Sequence, residues 1–116
     1  MQETKEQKQN LYEGMYILSA HLTEDARNKA FEKIKKSITD KGGEIVKIHD
    51  QGKRRLAYPI TQNREGYYYL MYFTVDPIAI SELWHDYRLN ENLIRFITLR
   101  TDEVLEELKF KQLPEQ

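Results

Sequence analysis

The sequence predicts an α+β fold: a ferredoxin-like two-layer sandwich of order βαββαβ, with a four-stranded antiparallel sheet and two helices on one face. Two segments carry apolar residues at helical spacing, and four others carry strand-like alternation or dense β-formers. Their order along the chain is strand, helix, strand, strand, helix, strand, a doubled βαβ pattern. Right-handed crossovers leave few topologies for that order. With 116 residues and 40% hydrophobic content, the chain suits one compact core.

Residues 1–11 are polar and aperiodic and read as a flexible extension. The first strand, YEGMYILSA from Tyr12, sets Tyr12, Gly14, Tyr16 and Leu18 on one side and Met15 and Ile17 on the other, so both faces are apolar. Thr23 suits an N-cap, Glu24 and Asp25 suit the positive helix end, and Ala26, Ala30, Phe31, Ile34 and Ile38 follow helical spacing until Gly42 and Gly43. From Glu44 to Ile60 we read one long strand bent at Gly52, and Pro59, which lacks an N–H, assigns it to a sheet edge. Asn63 to Gly66 reads as a turn into YYYLMYFTV, residues 67–75, a central strand. Asp76 and Pro77 open a second helix, whose Ile80, Leu83, Trp84 and Tyr87 point to the core. LIRFITLR, residues 93–100, is the fourth strand. The expected domain is 12–101, followed by an acidic tail, 102–116, in which Val104, Leu105 and Leu108 suggest a short helix.

Composition excludes several functions. The absence of cysteine removes disulfides, thiolate nucleophiles and cysteine-based metal sites. His21, His49 and His85 lack metal-ligand spacing, no acid lies in an apolar stretch that would raise its pKa, and phosphate-loop, dinucleotide and nucleophile-elbow motifs are missing. The expectation is a non-enzymatic protein with no catalytic residues, no metal, no cofactor and no small-molecule substrate. No apolar run is long enough to span a bilayer and the start lacks a signal-peptide pattern, so the expected location is cytoplasmic, away from membranes.

Net charge is −1, which argues against unaided binding to nucleic acid. The tail from Thr101 holds five acids and two bases and residues 1–11 hold two of each, leaving 14 bases against 12 acids in between. The densest positive charge is Lys53, Arg54 and Arg55, on the strand assigned to an edge. Alternation puts Arg54 with Leu56 and Tyr58 on one face, and Lys53 and Arg55 on the other. If Leu56 and Tyr58 face the core, Lys53 and Arg55 project outward to reach phosphates. Edge lysines and arginines also guard against aggregation, and composition leaves both readings open. Tyr67, Tyr68, Tyr69 and Tyr72 could stack single-stranded bases on an open sheet, yet REGYYYLMYF lacks the phenylalanine-rich signature of RNA-recognition modules, and core or interface roles suit these tyrosines better.

The segment GKRRLAYPI, Gly52 to Ile60, in register with YEGMYIL, REGYYYLMYF and NENLIRFITLR, resembles the bacterial small-subunit ribosomal protein six family over residues 12–101. The resemblance implies a structural component of the small ribosomal subunit that binds the central domain of small-subunit ribosomal RNA jointly with ribosomal protein eighteen, as a heterodimer. It implies RNA contacts among Lys53, Arg54, Arg55, Arg88, Arg95 and Arg100, and partner contacts at Leu56, Tyr58 and the region after Arg100, with Tyr12 and Asn92 as secondary contacts. Arg88 and Arg95 could instead form surface ion pairs with Asp86 and Glu91. Competing readings are a self-associating regulatory or ligand-binding domain of the same topology, and an autonomous single-strand RNA-binding module.

Overall fold

The computed structural model describes residues 9–60 and 62–107. Its elements are β1 (Asn10–Ser19), α1 (Glu24–Asp40), β2 (Glu44–Ile60), β3 (Asn63–Val75), a 3-10 turn (Pro77–Ala79), α2 (Ile80–Leu89) and β4 (Leu93–Arg100). The strands form an antiparallel sheet of order β2-β3-β1-β4, so β2 lies at an edge and β3 is central, as the proline and the aromatic run require. This is the ferredoxin-like architecture.

Local chemistry sets the helix limits. The Ala26 N–H donates to Thr23 Oγ1 at 3.1 Å, and Glu24 and Asp25 face the positive end of α1. At the other end the N–H groups of Gly42 and Gly43 donate to the carbonyls of Thr39 and Ile38, each at 3.0 Å, which satisfies the last turn. Asp76 caps the second helical segment through Ile78 N–H at 3.0 Å, and Pro77 begins a 3-10 turn that passes into α2 only at Ile80.

Both helices pack on one sheet face. Tyr12, Tyr16 and Leu18 of β1 and Tyr69, Met71, Phe73 and Val75 of β3 meet Phe31, Ile34 and Ile38 of α1 and Leu83 and Tyr87 of α2. Tyr16 and Tyr87 are fully buried, and their hydroxyls share a 2.9 Å hydrogen bond across the two layers. Trp84 is not in this core. Its side chain is only partly buried, and its Nε1 donates to Thr98 Oγ1 at 3.2 Å. Helical spacing alone set Trp84 level with Leu83 and Tyr87, but it lies on the flank of the stripe they centre.

The opposite face carries a second cluster, Ile17, Leu56 and Tyr68, bordered by Met15, Ile60, Ile94 and Ile97. Leu70 and Tyr72 on the same face are buried too, at 3% and 1% exposure. The chain after β4 accounts for the burial of Tyr72. From Thr101, whose N–H donates to Leu11 O at 3.0 Å, it runs to the opposite edge. There His49 Nε2 hydrogen-bonds Leu105 O at 2.8 Å and Lys47 pairs with Glu106 at 2.9 Å. Residues 101–107 thus form an irregular strap across the sheet, where a short helix was expected; the expected helical contribution of Leu108 lies outside the described residues.

Two details of the β2–β3 hairpin matter. Gly52 takes φ 78°, the register shifts between Asp50 and Gly52, and the Gly52 N–H donates to Asp50 Oδ1 at 2.9 Å, so the expected bend is a bulge. The turn, expected over Asn63 to Gly66, comes earlier. Ile60 pairs directly with Asn63, Gln62 takes φ 66°, and residues 63–66 already belong to β3. Asn63 is buried, with its side chain bonded to Ser19 Oγ and Ile60 O, while Gly66 is small because a Cβ there would stand 2.4 Å from Ile17 Cγ2. Turn-forming residue types therefore serve close packing here.

Candidate nucleic-acid and partner interface

The second half of β2 presents two chemistries on two sides. In the ladder Lys53 lies opposite Tyr67 and Arg55 opposite Glu65, on the side of the sheet that bears the helices. Arg54 lies opposite Gly66 and shares the other side with Leu56, Tyr58 and Ile60. The separation expected from alternation holds, but the assignment to layers is corrected. Leu56 is buried at 8% in the second cluster and not in the helix-covered core, so Lys53 and Arg55 flank the helix layer.

The three basic side chains of the trio are exposed. Arg54 Nε donates to Gln51 O at 2.8 Å, fastening its stem back along β2. Lys53 Nζ stands 5.8 Å from the centroid of the Tyr67 ring. The guanidinium of Arg27, on α1, lies 4.1 Å from the same centroid. Arg27 was missed in the sequence, although it precedes Phe31, Ile34 and Ile38 on one helical stripe, and a cation on an apolar stripe is a signal that it covers an aromatic ring.

On the other side, Arg95 reaches from β4 across the sheet and its Nη1 donates to Tyr58 Oη at 2.8 Å. The pair borders the apolar cluster of Ile17, Leu56 and Tyr68. Burial pushes the Tyr68 phenol above its ordinary pKa, and the positive charge of Arg95 offsets part of that rise. The result is an apolar depression, lined also by Ala57 and Ile60, with a phenol and a guanidinium on its rim. Such a surface suits a protein partner: an apolar centre with an anchored arginine and tyrosine.

The remaining sequence candidates do not join one patch. Arg100 is exposed opposite Tyr12 on β4, at the far edge and far end of the sheet from Lys53. Arg88 is exposed in the last turn of α2, and Asp86 pairs with Lys41 at 2.6 Å, not with Arg88. Asn92 is partly buried and structural: its N–H donates to Asn90 Oδ1 and its carbonyl accepts from Ser19 N–H. Tyr12 lies away from both surfaces, with its ring buried beneath the helices and stacked on Phe73, the ring centroids 5.8 Å apart. Tyr68, Tyr69 and Tyr72 are likewise buried, at 3%, 5% and 1% exposure, which leaves their rings unavailable to stacking bases. Among the described residues no cluster of histidine, aspartate and glutamate is arranged to hold a metal ion, and no helix is long and apolar enough to cross a membrane.

Comparison with known proteins agrees with this architecture. The family model described as ribosomal protein S6 matches residues 11–100. The chain is 65% identical over 108 residues to the small ribosomal subunit protein bS6 of Protochlamydia amoebophila, covering 93% of this chain and 95% of that relative. It is 60% identical over 111 residues to the protein of the same name from Chlamydia caviae, covering 96% and 99%. Among solved structures, the 30S ribosomal protein S6 of Thermotoga maritima superposes with a TM-score of 0.76 at 35% identity, covering 81% of this chain and 89% of that one. The chain therefore belongs to the ribosomal protein S6 family, and is a structural, non-catalytic component of the small ribosomal subunit.

Proposed function

We propose that the chain binds the central domain of small-subunit ribosomal RNA jointly with ribosomal protein eighteen, using opposite sides of β2 for the two partners. The observation that carries this reading is the division of residues 53–58: Lys53 and Arg55 on the helix-layer side, and Leu56 and Tyr58 on the apolar sheet face. RNA meets the first side through phosphate contacts, which position without reading sequence. The protein partner covers the second, where Arg54 and Arg95 serve the protein interface more than the RNA. Arg88 and Arg100, away from both patches, are peripheral contacts. Near-neutral net charge fits joint binding, since a basic partner then supplies much of the phosphate attraction.

The test is a gel-shift titration of a central-domain RNA fragment with this chain, with the partner, and with both. The expected result is weak binding by this chain alone and tight binding by the pair, with a one-to-one heterodimer on size exclusion. A homodimer indifferent to the partner, or equally tight binding by this chain alone, would overturn the proposal.

A further inference from the structure

Arg27 and Lys53 converge on one aromatic ring. Their charges lie 4.1 and 5.8 Å from the Tyr67 centroid, and because both distances end at one point the two cations are closer than the ~10 Å over which salt screens a charge. Among the described residues neither joins an ion pair, and Arg27 Nε is buried without a hydrogen-bond partner. The acids of the ladder on this side are Asp50, opposite Tyr69, whose Oδ1 already accepts from the Gly52 N–H, and Glu65, opposite Arg55. The ring supports the Arg27 guanidinium while its Nε donor stays unmet.

Like charges held close together and unmet donors are both relieved by an anion with several acceptor oxygens. We propose that Arg27 and Lys53, with the Tyr67 ring as their shared support, hold a backbone phosphate of the bound RNA. The inference rests on the RNA-binding role proposed above and extends that contact from the hairpin onto α1. Arg27 suits the role better than a lysine would: a planar fork over a ring still offers paired donors. Arg55, two residues beyond Lys53 on the same side, continues the track toward the hairpin tip.

The experiment uses the full chain bound to its partner and a central-domain RNA fragment, with affinity measured over a series of salt concentrations for the parent, Arg27→Gln and Lys53→Gln. Each substitution is expected to weaken binding and to lower the slope of log K against log salt by about one. Heterodimer formation and the thermal midpoint serve as controls, because a purely structural Arg27 would move the midpoint and leave the slope alone. A folded Arg27→Gln chain with the parental slope overturns the inference while leaving the wider RNA-binding role intact; a parent complex that ignores the RNA overturns both. Should Arg27→Gln fail to fold, the nitrogen-15 resonance of Arg27 Nε in the parent chain decides: a shift on adding RNA supports the contact, and an unmoved signal contradicts it.

Discussion

A single hydroxyl pair shows how residue chemistry holds the two layers together. Tyr16 and Tyr87 bury both phenols and share a 2.9 Å hydrogen bond, so Tyr16→Phe leaves the Tyr87 hydroxyl unmet in the core and should cost about 1–3 kcal/mol in urea denaturation. Replacing both by phenylalanine should recover part of that loss, since no orphan donor remains. Burial raises the pKa of both phenols, so their neutral forms favour the folded state. Folded pKa values above the unfolded value mean that this contribution is complete below about pH 10 and is lost as pH rises beyond it, because the unfolded chain then ionises first. The double phenylalanine variant should therefore show a flatter fall in stability above pH 10 than the parent. Trp84 marks what spacing alone misjudges. With its indole partly exposed, Trp84→Ala should cost about 2 kcal/mol, below the ~3–5 kcal/mol of a fully buried aromatic.

Elements with strong local chemistry were legible. Thr23, the Gly42–Gly43 pair, Asp76 and Pro77 act through neighbours a few residues away, so α1 and the start of the second helical segment follow from the sequence. The hairpin turn was misread because Asn63 and Gly66 are turn formers by type, while their places are set by long-range contacts with Ser19 and Ile17. Gly66→Ala should therefore destabilise by roughly 1–3 kcal/mol through overpacking against Ile17 Cγ2, measured as a lowered urea midpoint. The strap at 101–107 carries apolar residues that only suggest a short helix, because its hydrogen bonds go to His49 and its charge to Lys47 on the far strand. Truncation after Arg100 should uncover Tyr72 and lower stability by about 2 kcal/mol on an area basis, measured as a lowered urea midpoint.

At the scale of the molecule, the sheet separates two surfaces that a one-dimensional reading could only partly divide. Alternation assigned Lys53 and Arg55 to one side and Leu56 and Tyr58 to the other, yet which side bears the helices depends on the register of β2 against β3, which shifts at Ile45–Lys47, Asp50–Gly52 and Arg55–Ile60. The same limit hid the Arg27–Tyr67–Lys53 cluster and the reach of Arg95 to Tyr58, each of which joins residues from different elements. Fold and family were accessible because they rest on local pattern and motif; the division of labour between faces required three dimensions. The salt dependence of joint RNA binding tests that division most directly, by comparing the parent heterodimer with one carrying Lys53→Ala and Arg55→Ala. The expected result is weaker RNA binding with a log K against log salt slope reduced by about two, and an unchanged affinity for the protein partner; a parental slope, or loss of the heterodimer itself, would contradict the account.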